Sequence, residues 1–181
     1  MAAFIASIDG RFFLVPIDNR ENENEVLFVG TNGDIGEYFS AGSLQGLTVD
    51  HALELAFSCY NQGRLLEAEQ LCRLVLREVP CRVDAMQLLG VLLERRGQCN
   101  EAIQFLREAI RQAPGHAHLH NSLGMALHKL QKPEEALMEF RRALRIRPDF
   151  AKAHNNLGVT LMKLDRIDEA ITACREAIRL Q

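Results

Sequence analysis

Tryptophan is absent, tyrosine occurs twice and aromatic residues make up only 6% of the chain. A surface that stacks successive bases needs aromatic rings at regular intervals, and no such series occurs, which argues against a platform for single-stranded nucleic acid. The five cysteines are odd in number and contain no C-x-x-C pair, so their spacing specifies neither a disulfide framework nor a zinc ribbon. No apolar run approaches the ~20 residues that span a bilayer. The first residues, MAAFIASIDGRFFLVP, lack a basic leader and are interrupted by Asp9 and Arg11. A secretory signal is therefore not indicated, and a cytoplasmic protein is expected.

What is present is an ordinary globular composition of 181 residues, 48% hydrophobic and 25% charged, enough to bury a sizeable interior. The net charge of −3 is unevenly spread. Residues 1–48 carry 2 basic and 7 acidic groups, whereas residues 49–181 carry 19 and 17. An acidic head precedes a mildly basic body.

The body repeats itself every 34 residues. His120-x-x-Leu123-Gly124-x-x-Leu127, then Ala136-x-x-x-Phe140 and Pro148, recur as His154, Leu157, Gly158, Leu161, Ala170 and Cys174. Upstream the same slots hold Met86, Leu89, Gly90, Leu93, Ala102, Leu106 and Pro114, and before those Ala52, Leu55, Ala56, Cys59, Ala68, Cys72 and Pro80. Small residues at two fixed slots permit close helix approach, while leucines fill the space beside it. Gly63 and Gly97 punctuate the turn between paired helices, and the terminal prolines stop the second helix. Pro133 opens a helix, where its missing N–H costs nothing. The spacing predicts helix pairs at 49–61 with 65–78, 83–96 with 99–112, 117–130 with 133–146, and 151–164 with 167–180, with Thr48 or Asp50 as the first cap.

This period, with its Leu-Gly, Ala and Pro slots, resembles the tetratricopeptide (TPR) family over roughly residues 49–181. The resemblance implies an all-α solenoid of about four helix-turn-helix repeats (49–82, 83–116, 117–150, 151–181) whose first helices line a concave groove. Repeat one lacks the glycine and is the most divergent. The last repeat ends at Leu180-Gln181 without a polar capping helix, so either a longer array or a second copy is expected against Ile171, Ile178 and Leu180.

Residues 1–47 do not follow the period. Phe4–Ile8, Asp9-Gly10 and Arg11–Ile17 read as a β-hairpin, and Val26–Val29 as a third strand. The glycine-rich stretch from Gly30 to Gly36 has no lysine or arginine and matches no phosphate-loop spacing, so it reads as turn and linker. A small β-rich acidic head, residues 1–47, is expected before a solenoid over 48–181.

The TPR resemblance places five positions of each first helix on the groove. These are Asp50, Leu53, Phe57, Tyr60 and Asn61; Asp84, Gln87, Val91, Glu94 and Arg95; His118, Asn121, Met125, His128 and Lys129; and Lys152, Asn155, Val159, Met162 and Lys163. Asn and Gln can both donate to and accept from a peptide backbone. Lys129, Lys152 and Lys163 would favour an acidic ligand group. The lysine and asparagine clamp of chaperone-binding TPR domains does not match, since Leu53, Phe57, Leu88, His118 and Ser122 hold those slots. RPDFAKAHNNLG (147–158) is instead similar to repeats of the O-linked N-acetylglucosamine transferase array, with Asn156 at its groove asparagine.

Two other patterns invite a function. Arginine recurs at two slots of every second helix (Arg73 and Arg77, Arg107 and Arg111, Arg141 and Arg145, Arg175 and Arg179), a stripe diluted by Glu78, Glu108 and Glu176. A solvated helical face is the expected reading, with nucleic acid as its rival. His116-x-His118-x-His120 suggests a metal, but neighbours two apart diverge on a helix and no further ligands complete a set. Cys59, Cys72 and Cys174 are expected to pack as small hydrophobes, with Cys81 and Cys99 nearer the surface.

The sequence thus points to a non-catalytic scaffold that binds a peptide or protein segment, with no cofactor and no metal. The groove set is Gln87, Asn121, Met125, His128, Lys129, Lys152, Asn155, Asn156, Val159 and Lys163. The rival reading makes these repeats the substrate-recruiting part of a larger glycosyltransferase.

Overall fold

The computed structural model describes residues 48–181 in full and, before them, the backbone of four strands. The strands β1 (Ala2–Ile8), β2 (Arg11–Ile17), β3 (Glu25–Val29) and β4 (Ile35–Ser40) pair antiparallel in the order β1-β2-β3-β4. Ile8 is registered against Arg11, and Leu14 against Leu27. Ile35 and Gly36, read above as linker, belong to β4. The turn expected at Asp9-Gly10 and the segment Gly30–Gly33 lie outside the described residues.

Eight helices follow among the described residues: α1 (Val49–Asn61), α2 (Leu65–Glu78), α3 (Val83–Arg95), α4 (Cys99–Gln112), α5 (Ala117–Lys129), α6 (Pro133–Ile146), α7 (Ala151–Lys163) and α8 (Ile167–Arg179). Each lies within a residue of its expected bounds. Thr48 is the cap of α1, its hydroxyl accepting from the His51 N–H at 3.3 Å. Pro133 occupies the first turn of α6.

The described chain divides into two compact units, Met1–Pro80 and Cys81–Gln181. Within the first, α1 and α2 pair through Ala52, Leu55, Ala56 and Cys59 against Ala68, Cys72 and Val75, all buried. The second unit is a solenoid of three helix pairs. Each pair packs internally, and α4 then packs on α5 and α6 on α7. Its interior is mostly leucine, with Leu89, Leu92, Leu93, Leu106, Leu119, Leu127, Leu161 and Phe140 essentially inaccessible. Burying each such side chain contributes roughly 1.5–3 kcal/mol.

The glycine slot explains the helix spacing. A Cβ on Gly90 would lie 2.6 Å from Leu106, on Gly124 2.6 Å from Phe140, and on Gly158 2.5 Å from the Cys174 sulfur. Each partner stands sixteen residues further on, so a first helix without a Cβ receives a side chain from its second helix. Where repeat one has Ala56, its partner slot holds the smaller Cys72.

One turn closes every pair. The N–H groups of Arg64, Gln98, Lys132 and Arg166 reach back to the carbonyls of Cys59, Leu93, Leu127 and Leu161 at 2.8 to 3.1 Å. The residue before each donor has positive φ: Gly63 at 79°, Gly97 at 81°, Gln131 at 59° and Asp165 at 58°. This is a Schellman cap, built four times. In the sequence it is visible only where glycine marks it.

Candidate functional site

The first helices α3, α5 and α7 neighbour one another in the second unit. The slot filled by Val91, Met125 and Val159 recurs once per repeat; the first two are half-buried and Val159 is 42% exposed. Met162, one turn beyond Val159, is 52% exposed. These side chains make an apolar floor, with polar residues at the slots on either side of it.

The polar residues of that face are largely engaged with one another. The Asn156 amide donates to the Asn121 carbonyl oxygen at 2.9 Å, and Asn121 is buried. The Lys129 ammonium donates to the Glu94 backbone carbonyl at 3.0 Å and lies 2.7 Å from its buried carboxylate, off the hydrogen-bond axis. Lys163 donates to the Gln131 side-chain oxygen. Asn121, Asn156, Lys129 and Lys163 therefore clamp one repeat to the next rather than standing free. Gln87 is half-buried, while Lys152 and Asn155 are exposed. The structure thus brings the ten expected residues onto neighbouring helices but commits four of them to contacts between repeats.

His128 has a defined role in the same lattice. Its Nδ1 lies 3.0 Å from the Thr160 hydroxyl, and that hydroxyl donates its single hydrogen to the Asn156 carbonyl at 2.8 Å. Nδ1 must therefore donate, which leaves Nε2 of the neutral ring as an acceptor. Burial, helped by Lys163, pushes the His128 pKa down and keeps that neutral form.

The three histidines near the start of α5 separate. His118 stacks edge-on against Phe150, ring centroids 4.6 Å apart, with the Arg147 guanidinium 3.2 Å from its Nε2. Burial and that guanidinium hold its pKa down. His120 turns inward, its Nδ1 2.7 Å from the Glu139 carboxylate and its Nε2 3.1 Å from the Pro114 carbonyl. Both partners are acceptors, so the ring is best satisfied as the imidazolium, and the hydrogen bond to Glu139 raises its pKa. His154, one repeat on, makes the equivalent bond to the Pro148 carbonyl at 2.9 Å. In these two repeats the slot that holds Ala52 and Met86 upstream is a polar tie to the proline that ends the preceding repeat.

Cysteine placement differs from expectation at one position. Cys99 is buried, with its pKa raised by desolvation, because it opens α4 on the core side. Cys72 is pushed up to about 12 by burial. Cys81 is exposed.

Family models for the tetratricopeptide repeat match residues 84–116 and 151–181, and a TPR repeat model matches 124–165. The chain is a tetratricopeptide-repeat protein. No curated protein matches it by sequence. Among solved structures, this TPR chain is similar to MamA from Desulfovibrio magneticus RS-1, with TM-score 0.68 and 20% identity over 78% of this chain and 80% of that one. MamA of AMB-1 gives TM-score 0.62 and 24% identity, covering 78% and 83% of the two chains. A Thermobaculum terrenum O-GlcNAc transferase gives TM-score 0.62 and 33% identity, covering 62% of the TPR chain and 22% of the transferase.

The lattice joining α3, α5 and α7 was not read from the sequence. Its partners stand 32 to 35 residues apart, near the repeat period. Polar residues at matching slots of successive repeats were the available signal.

Proposed function

We propose that the α3, α5 and α7 face of the TPR solenoid binds a peptide or protein segment, and that the protein works as an interaction scaffold. The observation that carries this reading is the apolar slot Val91, Met125 and Val159, extended by Met162 and framed by side chains already tied to each other. A surface whose polar groups are held in place loses little freedom on binding, so contact area translates more fully into affinity. The ligand this face suits has apolar side chains spaced along an extended or helical backbone, with N–H groups available to His128 Nε2 and Asn155. Because Lys129 and Lys163 are occupied, Lys152 is the groove lysine most open to an acidic ligand group.

The test is panning a peptide library against the whole chain and measuring the enriched peptides with wild-type protein and with Val159→Asp/Met162→Asp. Both residues are exposed, so the variant should fold. Binding weakened at least about tenfold is expected for anchors in a groove. Equal affinity for both proteins would remove the groove from consideration.

A second reading is favoured by the 33% identity to the transferase repeats. In it, the same face presents a protein substrate to a glycosyltransferase domain encoded with these repeats. A sugar-transfer assay on the product of the intact gene decides it.

A further inference from the structure

The second helices α4 and α6 are separated by a furrow floored by α5. One cavity there, of about 380 Å³, is lined by Ile110, Leu123, Leu127 and Met138 below and by Arg107, Arg111 and Arg142 with Glu135 and Glu139 at its rim. A second, of about 530 Å³, adjoins it through Met138 and Arg142 and adds Arg141, Leu144 and Arg145. Five guanidiniums and two carboxylates thus surround an apolar floor, and Glu108 and Glu169 reach Arg111 and Arg141 from outside the lining.

The neighbouring repeats serve as an internal control. At the slot of Met138 they carry Gln70, Gln104 and Thr172, all exposed and polar; Met138 is 53% exposed. At the slot of Arg142 the flanking repeats carry Glu108 and Glu176. The scaffold therefore tolerates a polar residue at the first slot and an acid at the second. Repeat three departs from both at once, and the two departures lie side by side on one cavity. Neither is required by packing between repeats.

The existing ion pairs leave the rim available. Arg142 holds Glu139 at 2.5 Å, Arg141 holds Glu169 at 3.0 Å, Arg107 reaches Glu135 at 3.7 Å, and Arg111 pairs with Glu108. In the Arg141, Arg107 and Arg111 pairs both partners are about 40% exposed or more, so those pairs are weak and exchange readily for a better partner, whereas Arg142 stays on the buried Glu139 and offers its remaining donors. Arg145 makes no ion pair among the described residues. A guanidinium has five donors, and a carboxylate on one edge leaves others free.

We propose that this furrow is a second docking surface, distinct from the first-helix groove, for an acidic amphipathic peptide segment of a partner protein. A leucine or phenylalanine of the partner enters the cavity beside Met138 and Ile110, and flanking carboxylates bind Arg142, Arg145 and Arg111. Charge complementarity selects an acidic ligand. The apolar floor, with Glu135 and Glu139 at its rim, favours a side chain over a continuous phosphate backbone.

The test uses the full chain and a fluorescent synthetic peptide in which leucine alternates with pairs of glutamate, read by anisotropy. Wild type should bind it. Met138→Gln, which restores the residue of the preceding repeat, and Arg145→Glu should each weaken binding about tenfold. Met162→Asp separates the two surfaces: binding kept in it stays with the furrow, and binding lost in it but kept in Met138→Gln and Arg145→Glu assigns the peptide to the first-helix groove and overturns the proposal. Circular dichroism of each variant confirms the fold. The proposal is overturned by absent binding, by equal affinity of wild type and both variants, or by equal affinity for a polyglutamate of the same length, which would mean charge alone. Tighter binding of a single-stranded oligonucleotide, lost in the same variants, would assign the furrow to nucleic acid instead.

Discussion

At the scale of single residues, backbone conformation rather than contact decides the turn. A Cβ on Gly97 would meet nothing within 4 Å, yet its φ of 81° lies in the left-handed region. Substituting alanine there therefore isolates the conformational cost. Gly97→Ala should lower stability by about 1 kcal/mol, since the left-handed penalty outweighs the entropy removed from the unfolded chain. Gln131→Gly, at the same slot one repeat later, should raise stability by up to about 1 kcal/mol, less what the Lys163 bond to Gln131 contributes. Urea denaturation of both variants measures the pair, and an unchanged midpoint for Gly97→Ala would refute the assignment. Glycine at 63 and 97 made this turn visible in the sequence. Gln131 and Asp165 concealed it, because neither residue type signals positive φ without knowledge of the hydrogen bond it caps.

At the scale of elements, α5 is joined to its neighbours by polar side chains as well as by leucine. His120 ties α5 to α6 through Glu139, which Arg142 also holds, and to the preceding repeat through Pro114. Its pKa is raised in the folded state, so the stabilisation is fully present below the unfolded histidine value of about 6.5 and is lost as pH rises through the folded value. His118 and His128 have lowered values and act in the opposite sense, stability rising with pH between their folded values and about 6.5. The total profile mixes the two. Comparing wild type with His120→Gln separates them: the variant should lose about 1–3 kcal/mol near pH 6 and progressively less towards pH 9. A constant difference across that range, from thermal melts in matched buffers, would show that the ring contributes by packing alone. The helices themselves were legible because one packing solution recurs four times, and Gly124 with Phe140 or Gly158 with Cys174 repeats the same steric exchange. Which polar groups pair across repeats was not legible, since it depends on rotamers that spacing does not encode. Lys129 was expected to face a ligand, but it donates to the Glu94 backbone carbonyl and lies beside the Glu94 carboxylate.

At the scale of the whole molecule, the cysteines sample both compact units. Cys59 and Cys72 are buried in the unit Met1–Pro80, Cys99 is buried in the unit Cys81–Gln181, Cys174 is half-buried under Gly158 in α8, and Cys81 is exposed where the second unit begins. Thiolates are the reactive form, and burial raises the pKa of Cys59, Cys72 and Cys99, so in the native protein these three should react only when their helices open. Solenoid stability is a sum over repeats and their interfaces, and an element with fewer neighbours opens at lower cost. Helix α8 packs chiefly on α7 and leaves Ile171 and Ile178 exposed. Pulsed alkylation across a urea series, with each peptide quantified by mass spectrometry, should therefore label Cys81 at once and Cys174 next. Cys99 should follow with the interior of the second unit, and Cys59 and Cys72 should be labelled together. If Cys59 and Cys72 share one midpoint that differs from that of Cys99, the two units open independently. A single midpoint for all four buried or half-buried thiols would instead make the described chain one cooperative body, and the fraying of α8 would be excluded.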